Sequence, residues 1–326
     1  MLYANNGSAT RVPLLPGPHA DTEKAPVWLD LLNGDEGERA LAERLTRLVL
    51  PDKAALAEIE SSSRLNADGN VLRLSMPIAY RAEDGESHIA PLGFVVSPDY
   101  LVTLRFAELP VFNQFAERFA RSNAGGDGAG GSLAALVGLL EAVVDRQADV
   151  LEWVGGELNK ISRDVFREPE GKSSQDARLQ AVLRSVGNKA DVLSNLRDSL
   201  LGISRLLPFV TEMAESWMPP ELRPRFKTLR RDVQSLADYD TQLANKVQFL
   251  LDATLGFINI EQNNGIKVLT VVSVVGVPPT LVASIYGMNF KWIPELQWDY
   301  GYFYGLAVIV LSAILPLWWF KKRGWI

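Results

Sequence analysis

The chain contains no cysteine and only two histidines, His19 and His88. The first absence excludes disulfides and thiolate metal ligation, and the second excludes a tetrahedral zinc site of the structural kind, so any metal handled here meets oxygen ligands. Positive charge is also in deficit. The formal net charge of -6 argues against a nucleic-acid binder and suits cations. No glycine-rich phosphate loop follows a strand, there is no thiol, and the two histidines sit in unrelated polar segments. No catalytic set and no catalytic cofactor are therefore expected. Residues 1–24 carry Pro13, Pro16 and Pro18 and lack an apolar core behind a basic start. They do not read as a signal peptide, so the large polar part is expected to stay inside.

Toward the C-terminus charge itself runs out. A polar segment of roughly 265 residues gives way to about 60 strongly apolar ones, and only that last part reads as a membrane segment. Val268 to Ile285 is uncharged and long enough to cross a bilayer; a second uncharged run extends from Tyr300 to Phe320 and stops at Lys321, Lys322 and Arg323. Two spans put both ends on one side, which the terminal basic residues and Lys267 mark as cytoplasmic. The intervening loop, with Lys291, Glu295 and Asp299, is net negative and is expected to face outward.

Ahead of the spans, Val27 to Leu31 reads as a short strand, Asp35 to Leu50 as an amphipathic helix ended by Pro51, and Asp52 to Ser61 as a second helix. Val71 to Tyr80, Leu92 to Ser97 and Tyr100 to Arg105 look like strands, the last two joined by a tight turn at Pro98-Asp99. Helices beside a small mixed sheet make an α/β domain. Ser122 to Ser132 has too little side chain to pack and reads as a flexible connector. Beyond it only helical spacing remains. An antiparallel hairpin is expected from Leu133–Phe166 and Gln175–Trp217, with a turn over Glu168–Ser174 and a kink near Pro208. From Arg223 to Tyr286 nothing stops a helix of about 60 residues, roughly 90 Å long at 1.5 Å per residue.

That helix carries two stripes. Phe226, Leu229, Val233, Leu236, Leu243, Val247, Leu250 and Phe257 follow steps of three and four, interrupted by Asp240 and Thr254, and are expected to pack against the hairpin or a neighbouring subunit. On roughly the opposite face lie Asp252, Gly256, Asn259, Asn263, Ile266, Thr270, Ser273, Val277, Thr280 and Ser284, mostly small or polar. A lone helix facing lipid gains nothing from such a stripe, whereas a ring of copies gains a water-compatible lining. A packing face built from Ser, Thr and Gly reads the same way; the two asparagines leading into the stripe favour a pore.

The first span ends at Tyr286-Gly287-Met288-Asn289, preceded by VPPTLVAS and followed by FKWIPELQWDYGY. A Gly-Met-Asn turn between two C-terminal spans resembles the CorA family of divalent-cation channels. The resemblance covers essentially the whole chain, is strongest from Leu251 to Tyr302, and extends more weakly to VWLDLL, LAEIE and LVTLRFAELPVF. It implies an α+β membrane protein: a cytoplasmic α/β domain over 1–121, the connector over 122–132, a helical hairpin and stalk over 133–266, and a transmembrane domain over 267–326. Within the last, the spans cover about 267–286 and 300–320, the outer loop 287–299 and a basic tail 321–326. It further implies a homopentameric funnel in a bacterial-type inner membrane with both termini cytoplasmic, in contact with lipid and divalent cations.

The resemblance also assigns roles. Gly287, Met288 and Asn289 would form the mouth, where amide and carbonyl oxygens bind the waters of hydrated Mg²⁺, an ion that dehydrates reluctantly. Asp252, Asn263, Thr270, Ser273, Thr280 and Ser284 would line the pore, with Asp252 and Asn263 at its inner end. Ile266, Leu269 and Val277 would close it by dewetting, although ordinary packing serves equally for each. Glu295 is expected to attract cations to the mouth, unless it is simply a solvated loop carboxylate. Many family members carry an acidic residue after Gly-Met-Asn-Phe, where this chain has Lys291. Apart from the resemblance, Glu141, Asp145, Asp149 and Glu152 share a helix face where like charges repel, so a bound divalent cation would relieve the repulsion and they are candidate sensors of cytoplasmic Mg²⁺, or are merely solvated. Lys267, Lys321, Lys322 and Arg323 would form a basic collar at the inner leaflet.

The implied function is uptake of Mg²⁺, with Co²⁺ or Ni²⁺, driven by about 2.3 kcal/mol per charge per 100 mV and closed by internal Mg²⁺. A zinc transporter of the ZntB branch shares the architecture. A membrane-tethered sensor or scaffold that does not conduct is the alternative from another class.

Overall fold

The computed structural model describes residues 1–5, 12–14, 26–58, 60–82, 85–123, 131–167, 175–289, 291 and 293–325. Most of the expected connector, the expected turn over 168–174 and His19 lie outside these residues. The chain divides into two compact units, the first running through Leu251 apart from the start of the second hairpin helix, the second taking over at Asp252.

The first unit holds a seven-stranded mixed sheet in the order β2-β1-β3-β7-β6-β5-β4. Its strands are β1 (Leu2–Asn5), β2 (Val12–Leu14), β3 (Trp28–Leu32), β4 (Leu65–Asp68), β5 (Val71–Arg81), β6 (Ser87–Val96) and β7 (Leu101–Arg105). β3 and β7 pair in parallel, and every other pair is antiparallel. β5 and β6 place Pro77 opposite Pro91, which confines the missing donors to one position of the ladder. The expected turn at Pro98-Asp99 joins β6 to β7, with Ser97 N–H donating to the Tyr100 carbonyl at 2.8 Å.

At the sheet centre, Trp28, Asp30, Thr103 and Arg105 form a buried polar network on in-register strands. Trp28 Nε1 donates to Thr103 Oγ1 at 3.1 Å, whose hydroxyl donates to Asp30 Oδ1 at 2.7 Å, and Arg105 contacts both carboxylate oxygens at 3.1 to 3.2 Å. Burial lowers the Arg105 guanidinium from its ordinary value to about 10, against the raising influence of Tyr3 and Glu108.

Short helices flank the sheet: α1 (Glu36–Thr46), α2 (Lys53–Ala57), α3 (Ser61–Arg64) and α4 (Pro110–Asn123). Asp35 and Glu38 form a reciprocal capping box at the start of α1. Arg47, in the left-handed region at φ 57°, stops it short of the expected Leu50. Glu58, with φ -58° and ψ 143°, leaves the helical region, so the helix expected over 52–61 stops at Ala57, and α3 is a separate turn of helix that starts only at Ser61.

The long helices are α5 (Ser132–Phe166), α6 (Gln175–Met213), α7 (Arg223–Tyr286) and α8 (Gly301–Lys322). α5 and α6 run antiparallel, with Lys189 over the Trp153 ring at 3.9 Å. Pro208 lies inside α6 without ending it. The first part of α7 runs parallel to α5: Glu141 meets Arg225 near one end, and Phe166 stacks on Phe249 at 5.9 Å near the other. Gly202 of α6 sits against Met76 of β5, where an added Cβ would approach Met76 Cβ to 2.8 Å, so this contact requires glycine.

The apolar stripe of α7 is buried at Phe226, Leu229, Val233, Leu243, Val247 and Leu250 and half-buried at Leu236 and Phe257. Its two interruptions are buried as well. Asp240 is 1% exposed and accepts from Arg197 Nε of α6 at 2.8 Å; Thr254 is fully buried.

Candidate functional site

α7 is 64 residues, about 96 Å of continuous helix. Its last part, from Asp252, belongs to the second unit together with α8. Both helices are long and apolar enough to cross a membrane. The small, polar stripe of α7 does not turn into the chain's own interior. Asp252, Gly256, Asn259, Asn263, Ile266, Ser273, Val277, Thr280 and Ser284 are exposed and Thr270 half-buried.

The hydroxyls of that stripe share one geometry. Thr270 donates to the Ile266 carbonyl at 2.8 Å, Ser273 to Leu269 at 2.9 Å, Thr280 to Gly276 at 2.9 Å and Ser284 to Thr280 at 2.8 Å. Each hydroxyl proton is thus committed to the helix, and what faces outward is the oxygen with its lone pairs. A row of acceptors matches the water shell of a cation, whose protons point away from the ion. Pro278 and Pro279 stand inside the helix between Ser273 and Thr280. Lacking N–H groups, they leave the carbonyls of Val274 and Val275 without their usual partners. Ile266 and Val277 on the stripe, and Leu269 beside it, are each more than half exposed.

At Tyr286 the helix ends. Gly287 N–H closes on the Ala283 carbonyl at 2.9 Å and Met288 N–H on Ile285 at 3.2 Å. Gly287, Met288 and Asn289 follow, all exposed. This is the negative end of the helix dipole, which favours a cation. Residues Pro294–Gln297 make a tight turn that carries Glu295 into a crevice of about 380 Å³ with Tyr286, Met288 and Val308. Glu295 therefore shares a crevice with Met288 of the Gly-Met-Asn turn. Gly301 fixes the loop: a Cβ there would collide with the Glu295 carbonyl oxygen. Lys291 is exposed in the same loop.

Aromatic residues bracket α8, a feature the sequence reading passed over although their clustering is plain in the chain. Trp298 and Tyr304 meet at 5.5 Å at one end. At the other, Lys322 lies 5.5 Å from the Trp318 ring, Arg323 4.8 Å from Trp319, and Trp325 stacks on Phe320 at 5.3 Å. Aromatic and basic groups at the ends of an apolar helix about 33 Å long suit a bilayer with a core of about 30 Å.

The four acidic residues expected to sense metal are not gathered together. Glu141 is held by Arg225, Nη2 to Oε2 at 2.6 Å and Nε to Oε1 at 3.0 Å, a partner 84 positions away with no local signal. Asp145 and Asp149 line one cleft, where Asp149 lies 3.9 Å from Arg146. Glu152 lines another with Asp238 and Gln242. Among the described residues no three of His, Asp and Glu are grouped as a metal site within the chain.

Comparison with known proteins gives a consistent result. The model of the family described as CorA-like Mg²⁺ transporter protein matches residues 23–322. The magnesium transport protein CorA of Haemophilus ducreyi is 35% identical over 300 residues, 92% of each chain. The complete CorA magnesium transporter from Methanocaldococcus jannaschii superposes with a TM-score of 0.79 at 19% identity, covering 100% of this chain and 99% of that one. The cytoplasmic domain of ZntB from Vibrio parahaemolyticus covers 79% of this chain and 97% of its own, with a TM-score of 0.52 at 13% identity. At such identities the two structural likenesses concern the fold.

Proposed function

The chain belongs to the CorA-like Mg²⁺ transporter family, and we propose that it is a homo-oligomeric channel admitting Mg²⁺, with Co²⁺ or Ni²⁺, across a bacterial-type inner membrane. Several copies, five by family resemblance, set their α7 helices side by side as a funnel, so that the stripe from Asp252 to Ser284 lines a common path. The observation that carries this reading is the exposed row of back-bonded hydroxyls ending at Asn289. A lipid-facing helix has no use for outward acceptors, whereas a water-filled lumen does.

In this reading Asn289 amides and Gly287 carbonyls hold the hydrated ion at the mouth, and Glu295 raises the local cation concentration beside it. Ile266, Leu269 and Val277 form the constriction. Asp252 and Asn263 receive the ion at the inner end, and Lys267 with the basic tail faces the cytoplasmic leaflet. Entry runs down the membrane potential without a chemical step. Filling of acidic sites by cytoplasmic Mg²⁺ closes the path, with Asp145, Asp149 and Glu152 as candidates; Glu141 contributes only after leaving Arg225. Replacing Asn289 by Ala is expected to reduce Mg²⁺ uptake to that of protein-free membranes, while size-exclusion chromatography shows an unchanged oligomer. Uptake equal to the unmodified protein removes Asn289 from the mouth.

A further inference from the structure

Cations gather at only one end of α8. Aromatic residues stand at both ends, but Glu295 and Asp299 precede the helix whereas Lys321, Lys322 and Arg323 close it, and no Asp or Glu occurs from 300 to 325. The three basic residues are exposed, and among the described residues none of them is ion-paired.

The helix ends here in a built cap. Gly324, in the left-handed region at φ 68°, reverses the chain. Its N–H donates to the Lys321 carbonyl at 3.2 Å, and that of Trp325 donates to the Phe320 carbonyl at 3.1 Å, the two bonds of a Schellman motif. Trp325 is thereby laid on Phe320, whose ring also meets Trp319 at 5.2 Å. Phe320 is buried between them, while Trp318, Trp319 and Trp325 keep exposed faces.

Because backbone groups cap these carbonyls, the basic side chains are not needed there. Lys322 and Arg323 instead lie over the Trp318 and Trp319 rings, a contact that holds a cation without neutralising it. The cap thus sets three uncompensated positive charges among exposed indoles at the rim of an apolar helix. Its complement is a molecule with a negative head and an apolar tail: phosphate toward the cations, acyl chains along α8. A zwitterionic headgroup brings its own cation to the same place and is disfavoured.

We infer that the capped end of α8 is a binding site for an anionic phospholipid. This rests on the reading of α8 as a membrane span with this end in the cytoplasmic leaflet, and not on which ion passes.

Native mass spectrometry of the full-length protein in detergent, titrated with phosphatidylglycerol or with phosphatidylcholine of the same acyl chains, counts retained lipid without any flux. The expected result is saturable retention of phosphatidylglycerol and little of phosphatidylcholine. Lys322→Gln combined with Arg323→Gln is expected to weaken phosphatidylglycerol about tenfold or more. Gly324→Val alters no charge but cannot readily hold the left-handed turn, so it is expected to weaken retention severalfold; Gly324→Asn, which tolerates that region, keeps it. Equal retention of the two lipids, or a preference unchanged in the double variant or in Gly324→Val, would overturn the inference. Indifference to phosphatidylglycerol together with loss of the oligomer in the double variant would place a neighbouring copy on this face and overturn it as well. Selective retention by a protein that conducts nothing would sustain this site and count only against the transport reading.

Discussion

Asp240 shows what a single residue can conceal. By type it is a gap in the apolar stripe of α7; in place it is as buried as its neighbours, with one oxygen on Arg197 and the other, Oδ1, without a partner among the described residues. Burial raises its pKa, and the Arg197 contact only partly offsets this. The sign follows directly. A carboxyl with a raised folded-state pKa binds its proton more tightly folded than unfolded, so its contribution to stability is full below the ordinary value of 3.8 and is lost as pH rises through the raised value. Asp240→Asn cannot ionise, and Arg197, half exposed, stays hydrated. Thermal melts should show this variant gaining on the unmodified protein as pH rises from about 4 toward neutrality; a difference independent of pH would contradict the assignment. The composition of the stripe gave no warning, because Arg197 stands 43 residues away on another helix.

Among the elements, legibility followed length. The uncharged spans, the 64-residue α7 and the α5–α6 hairpin were open to reading because periodicity accumulates over many turns. β1, β2 and β4 are three or four residues each and carry no such signal. The strand expected from Leu92 begins at Ser87, with Pro91 inside it opposite Pro77. α4 was missed for a different reason. Its stripe of Phe112, Phe115, Ala116 and Phe119 and its first-position Pro110 were both present, but they follow directly on the apolar run of β7. The Gly-Met-Asn turn was legible as a motif, while the support behind it was not: the Glu295 carbonyl against Gly301 is a contact between backbones. Gly301→Ala is therefore expected to displace the loop and cut Mg²⁺ uptake severalfold even though it changes no polar group, measurable as uptake at equal membrane abundance. Normal uptake in that variant would mean that the loop geometry does not set the mouth.

For the whole molecule, the division of labour is between a unit whose stripe is satisfied within the chain and one whose stripe is not. From Phe226 to Leu250, α7 buries its apolar face among its own chain's helices. From Asp252 to Ser284 it presents acceptors and small residues outward. Family membership supplies the context in which that second face has a use, and it leaves the permeant ion and its driving force to measurement. The most direct test is flux into liposomes containing the full-length protein, with an inward-negative potential, using Mg²⁺, Co²⁺, Ni²⁺ and Zn²⁺ in turn and with or without internal Mg²⁺. The account predicts Mg²⁺ entry that needs only the potential and slows when Mg²⁺ is loaded inside. No divalent flux at all, or flux that requires a proton gradient and prefers Zn²⁺, would contradict it.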